Sequence, residues 1–214
     1  RSGALMAGTG EFDIRIIGKS GHGAMPYKGI DAMNAACHLV NSLNTVIGRN
    51  IDPIEPAVLT VGKLVSGERR NIIAGEAILE GTMRAFSEDT LMRLRSGVET
   101  LADSIPRGFG CTVEKEIRIM YPPVVNSKKL VDELEMICGD SYQELEPLTI
   151  SEDFSYYQKQ VPGVFFMLGS KNEKLGYVAP LHNNQFNFNE EILKTGIGLF
   201  YALSENLGGM RCVS

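Results

Sequence analysis

Six positions in this chain of 214 residues combine residue type and setting in ways that could support chemistry. His22 stands in GKSGHGAMP (18–26), between glycines whose missing side chains allow a close approach between the imidazole and another group. The alternative is an incidental loop histidine. Asn71, in RRNIIAG, follows a loop and could donate its amide to a carbonyl, although turn asparagines are common. Arg84 shares a strand face with Thr82, and a guanidinium held in a sheet can grip a carboxylate through paired hydrogen bonds. His182, in PLHNN (180–184), could ligate zinc, manganese or a similar divalent ion as a neutral imidazole, or simply cap the last helix. One histidine does not make a metal site, since catalytic zinc takes about three protein ligands. Glu152 and Asp153, in SEDF (151–154), could orient a metal ligand or begin a helix. The other SED, at Ser87-Glu88-Asp89, reads as a helix start, and His38 reads as an exposed helical residue.

The elements that position these residues follow from periodicity. EFDIRII (11–17) alternates apolar and charged residues, as a half-buried strand does. From Asp31 a helical pattern places Met33, Cys37, Val40, Asn44 and Ile47 on one stripe, with Gly48 as its stop. AVLTVGKLVSG (57–67) and AILEGTMRAF (77–86) read as strands, and Ser87 caps a helix with an acidic first turn. CTVEKEIRI (111–119) is a fourth strand. The order β-α-β-β-α-β is the ferredoxin-like arrangement, a four-stranded sheet with two helices on one face and an edge open to pairing with another copy. YPPVVN (121–126) reads as a stiff boundary. Beyond it lie a helix at SKKLVDELEMICGD, an apolar run VPGVFFMLGS (161–170) that reads as a strand buried on both faces, and a last helix from EEILKTG onward. These last segments look like the tail of an α/β domain, so the expected fold class is mixed, α+β with α/β.

Composition narrows the function classes. A net charge of −5, with its cations scattered, argues against a nucleic-acid footprint, and no apolar run approaches the ~20 residues of a membrane helix. RSGALMAGTG has no secretory pattern and opens in mid-pattern, as though an upstream element preceded it. Cys37, Cys111, Cys138 and Cys212 show neither metal nor disulfide spacing, which points to a reduced, cytoplasmic setting.

Taken together, GKSGHGAMPYKGIDAMNAA, GERRNIIAGEAILEGTMRAF, SEDFSYY and PLHNNQFNFNEE resemble the M20 metallopeptidase family over essentially the whole chain. The resemblance is to its amidohydrolase branch, with hippurate hydrolases, N-acyl-amino-acid deacylases and plant auxin-conjugate hydrolases. It implies a ferredoxin-like lid and dimerisation domain over 11–120. Residues 1–10 would end one segment of an α/β catalytic domain, and 121–214 would form its C-terminal segment. By the same resemblance His22 reaches across a homodimer to polarise the scissile carbonyl, and Asn71 and Arg84 hold the substrate's carbonyl and carboxylate. His182 matches a metal ligand, while Glu152 and Asp153 support the site. The implied cofactor is a pair of divalent ions (Zn, Mn, Co or Ni), not fully bound by this chain, because the other ligands and the general base would lie upstream. The implied reaction is hydrolysis of N-acyl amino acids, with this chain alone inactive. An M20-type dipeptidase or exopeptidase and a non-catalytic dimerisation module are the alternatives, and neither nucleic acid nor membrane is an expected partner.

Overall fold

The computed structural model describes residues 1–208, so Cys212 lies outside the described residues. In chain order the strands are β1 (Gly3–Met6), β2 (Gly8–Ile17), β3 (Gly21–His22), β4 (Ala57–Ser66), β5 (Ile72–Ile73), β6 (Glu76–Ala85), β7 (Thr112–Tyr121) and β8 (Val124–Asn126). The helices are α1 (Ala32–Leu43), α2 (Thr45–Asn50), α3 (Glu88–Gly108), α4 (Lys128–Cys138), α5 (Phe154–Gln158) and α6 (Ile192–Asn206). Two compact units result. One holds Ala4–Val125 with Glu146–Val161; the other holds Arg1–Gly3, Asn126–Leu145 and the chain from Pro162 onward.

The first unit is built on an antiparallel sheet in the order β4-β6-β2-β7, the ferredoxin-like order. Strict alternation along β2 makes this sheet two-faced. Phe12, Ile14 and Ile16 are buried, while Glu11 and Arg15 face water. α1 and α3 cover the apolar face, and Leu39, Leu43, Leu79, Met83, Leu91, Leu94 and Val98 complete the core. Gly81, opposite Phe12 on β6, makes room for its ring: a Cβ there would lie 2.1 Å from Phe12 Cζ. The opposite face is charged and paired, with Arg15 bridging Glu76 (3.0 Å) and Glu114 (2.9 Å), and Arg118 on Asp13 (2.5 Å) and Glu116 (3.0 Å).

Asp31 caps α1 through its carboxylate, which accepts from Asn34 N at 3.0 Å, and Ser87 Oγ caps α3 by accepting from Thr90 N at 3.1 Å. The buried stripe of α1 differs from the expected one. Ala32, Ala35, Ala36, Leu39 and Leu43 face the core, whereas Met33 and Cys37 are exposed. Alanines let the helix sit close on the sheet, so the larger side chains turn outward. Gly48 is not a stop either: the break falls at Asn44, and α2 runs through Gly48. His38 lies on the exposed side of α1, its ring 4.9 Å from that of Phe109. The Pro122-Pro123 pair does end β7, and the chain then forms β8, which pairs with β1.

In the second unit α4 packs on α6, with Val131, Leu134, Gly196 and Leu203 buried. The run 161–170 is not a strand, contrary to the sequence reading; its residues are partly or fully exposed. It is tied to the end of β8 by backbone and side chain together, with Ser127 N donating to Gly163 O (3.0 Å). The buried carboxamide of Asn126 accepts from Phe165 N (2.8 Å) and donates to Phe165 O (2.9 Å). No helix among the described residues is long and apolar enough to cross a membrane.

Candidate active site

His22 is held at the tip of a two-stranded ribbon, β3 with β5, that extends beyond the main sheet. The ribbon forms because the chain crosses itself tightly. Lys19 and Ile30 exchange backbone hydrogen bonds (2.8 and 2.9 Å), and a Cβ on Gly18 would lie 2.2 Å from Ile30 O, so only glycine fits there. In the register His22 faces Ile72, and Gly23 N donates to Asn71 O at 2.8 Å. A Cβ on Gly23 would meet that carbonyl oxygen at 3.1 Å. The glycines around His22 therefore bring its loop onto the backbone of Asn71.

The imidazole is exposed and oriented. Met25 N donates to His22 O (2.8 Å), closing a turn, and Ala24 N donates to His22 Nδ1 (3.1 Å). With Nδ1 accepting, the neutral ring carries its proton on Nε2, and this donor faces outward. It suits a carbonyl oxygen on which negative charge develops.

Arg84 is a different kind of group. It is partly buried on the outer face of β6, next to Thr9 on β2 and Val58 on β4. Nη1 donates to Thr82 Oγ1 and to Met83 O (2.9 Å), which fixes the guanidinium. Among the described residues Nε and Nη2 have no hydrogen-bond partner, so the edge that binds a carboxylate in a fork remains open. Burial pulls its pKa down and Glu11 opposes this; the group stays charged.

Among these residues the fold joins only His22 and Asn71. β6 separates them from Arg84: the ribbon meets the sheet at Glu76, and eight residue steps of strand, about 27 Å, separate Glu76 from Arg84. Glu152 and Asp153 precede the short helix α5. Glu152 Oε1 accepts from Asp153 N (3.1 Å), Ser155 Oγ donates to Glu152 O (2.9 Å), and Asp153 occupies the cap position without a side-chain cap bond. No hydrogen bond among the described residues links either carboxylate to His22, Asn71 or Arg84.

His182 belongs to the second unit. It is the one non-glycine described residue with positive φ (64°), in a turn closed by Asn183 N donating to Pro180 O (3.2 Å). That conformation costs about 1–2 kcal/mol for an L residue, and it presents an exposed imidazole. Among the described residues no group of three or more His, Cys, Asp or Glu could hold a metal ion, so they do not by themselves fit a two-metal centre. The described cysteines Cys37, Cys111 and Cys138 are all free thiols.

Two features at the ribbon had no part in the sequence reading: Lys19 and Lys28, both exposed, flank the His22 loop. Nothing in local sequence marks them. Only the bridge between Lys19 and Ile30, and the approach of Gly29 to Gly21, put both on the ribbon.

Comparison with known proteins agrees with this architecture. Residues 7–109 match the M20 family model described as a peptidase dimerisation domain. N-acetyldiaminopimelate deacetylase of Brevibacillus brevis is 35% identical over 204 residues, covering 93% of this chain and 53% of that protein. IAA-amino acid hydrolase ILR1-like 4 of Arabidopsis thaliana is 35% identical over 213 residues, covering 95% and 48% respectively. The crystal structure of a putative aminohydrolase from methicillin-resistant Staphylococcus aureus superposes with a TM-score of 0.83 at 28% identity, over 96% of this chain and 52% of that one. The chain spans about half the length of the curated relatives it matches. A ferredoxin-like sheet, matched in sequence and in structure, identifies residues 7–109 of this chain as an M20 peptidase dimerisation domain.

Proposed function

We propose that this chain supplies the lid, the dimer contact and the substrate-gripping residues of a divalent-metal-dependent amidohydrolase that cleaves N-acyl amino acids. The observation that carries this reading is the presence, in one unit, of an exposed His22 imidazole on the β3-β5 ribbon and a fixed, fork-ready Arg84 on β6 of the main sheet. An N-acyl amino acid presents two matching groups, the amide carbonyl and the α-carboxylate. The similarity to a deacetylase of an N-acetyl amino acid and to an amino-acid-conjugate hydrolase supports the same substrate class.

In this reading 11–120 is the lid and dimerisation domain, while 1–10 and 121–214 belong to the catalytic domain. The length of β6 then has a consequence. No N-acyl amino acid spans the roughly 27 Å from ribbon to Arg84, so one substrate meets the His22 and Asn71 of one protomer and the Arg84 of its partner. Arg84 holds the α-carboxylate bidentately, and Asn71 donates its amide to the substrate carbonyl. His22 Nε2–H stabilises the negative charge that grows on that oxygen as the amide is attacked. His182 would contribute one ligand to the metal ions, and Glu152 and Asp153 are assigned a supporting role.

The test is hydrolysis of a panel of N-acetyl and N-benzoyl amino acids with added manganese, cobalt or zinc. It is run on this chain and on the longer polypeptide that contains it, with molecular mass followed by light scattering. Metal-dependent turnover by the dimeric longer protein and none by the 214-residue chain is expected. Turnover by the short chain would mean that its own residues complete the metal site, against the arrangement proposed here.

A further inference from the structure

The ribbon that carries His22 and Asn71 is basic, although the chain as a whole is acidic at −5. Lys19 lies two residues before β3. Lys28 adjoins Gly29, whose Cα would lie 3.3 Å from a Cβ on Gly21, and Arg69 and Arg70 immediately precede Asn71. All four are exposed. Elsewhere Arg15, Lys63, Arg93, Lys115, Arg118, Lys128, Lys159, Lys171 and Lys194 form ion pairs, whereas Arg49, Arg84, Arg95, Arg107, Lys129 and Lys174 form none among the described residues. At the ribbon none of the four cations has an ion-pair partner among the described residues, and all four stand beside the loops of His22 and Asn71. The nearby acids are mostly committed. Asp31 caps α1 and Glu76 is bound by Arg15, which holds its carboxyl below the usual range. Glu68 remains as the single counter-charge in that stretch of sequence.

Resting on the reading proposed above, we infer that this basic collar selects substrates whose acyl group carries its own carboxylate. The direction follows from the placement of the groups. His22 and Asn71 meet the scissile carbonyl, so the cations beside them face the acyl end, while the α-carboxylate is held by Arg84 at a strand's length from the ribbon. A dicarboxylic acyl group, such as succinyl, extends its second carboxylate from that carbonyl into the collar. Arg69 and Arg70, covalently next to Asn71, are the principal specificity determinants, with Lys19 and Lys28 adding to the local field. Charges at an exposed tip act over about 10 Å at 0.1 M salt, so the selection weakens as salt rises.

The experiment compares kcat/KM for N-succinyl-L-alanine with that for N-butyryl-L-alanine, a neutral acyl group of the same chain length, using the metal-loaded longer protein. The succinyl substrate should be favoured about tenfold or more at low ionic strength, with the ratio falling several-fold at 0.5 M salt. In the Arg69→Gln/Arg70→Gln variant the ratio should drop towards one, and in Lys19→Gln/Lys28→Gln it should drop less. Equal rates on the two substrates, or a preference that survives the arginine substitutions unchanged, would overturn the inference while leaving the amidohydrolase reading in place. If neither these substrates nor the N-acetyl and N-benzoyl panel turned over, the underlying reading would fail and this inference with it.

Discussion

Replacing His22 by alanine in the metal-loaded longer protein is expected to lower kcat for N-acyl amino acids by about 10²–10³-fold, with a much smaller change in KM. The size follows from the role proposed for the residue. Its Nδ1 is occupied by the N–H of Ala24, so the ring presents a fixed Nε2–H whose use grows as the carbonyl oxygen becomes negative. An interaction that strengthens between ground and transition state appears in kcat. Because the side chain is exposed, the variant should unfold at the same denaturant concentration as the parent chain. That control separates loss of a donor from loss of the loop. A fall in KM affinity alone, or in stability, would assign His22 to binding or to structure instead.

Phe12→Ala is expected to destabilise the sheet-bearing unit by about 3–5 kcal/mol. The ring is fully buried on β2, and Gly81 has no side chain with which to fill the vacated space. The void would be lined by atoms of two adjacent strands already locked in register, Phe12 opposite Gly81 and Ile117. Such a site collapses poorly, which places the cost towards the upper end. Urea unfolding followed by circular dichroism measures it as a lower midpoint with little change in slope. A cost under about 1 kcal/mol would mean that the core repacks around the gap. The reverse substitution, Gly81→Ala, would force the same contact by overfilling it, since a Cβ there also lies 2.5 Å from Thr60 O.

The sheet was legible in the sequence because a half-buried strand writes its two faces into alternate residues, as in Phe12-Asp13-Ile14-Arg15-Ile16. The helix cap at Ser87 was legible for the same local reason. The face of α1 was not. Its contact with the sheet uses Ala32, Ala35 and Ala36, whose small size suits close packing but gives a weaker apolar signal than Met33 and Cys37. The run 161–170 misled in the opposite way: continuous apolarity signals burial on both faces, but burial depends on neighbours that local sequence does not supply. At the site, His22 was visible through its glycines and Asn71 through its turn. Their juxtaposition is a matter of register, and so is their separation from Arg84 along β6. The left-handed conformation of His182 had no local signature at all.

The central claim is that one active site draws His22 from one protomer and Arg84 from the other. The most direct measurement mixes two inactive forms of the longer protein, His22→Ala and Arg84→Ala, under conditions that exchange subunits, and follows hydrolysis of an N-acyl amino acid. In a shared arrangement each mixed dimer contains one site with both residues intact. Random reassortment should then recover about a quarter of the parental activity. If mixing recovers nothing while mass measurements show that mixed dimers have formed, His22 and Arg84 do not meet across the dimer, and the shared site is wrong.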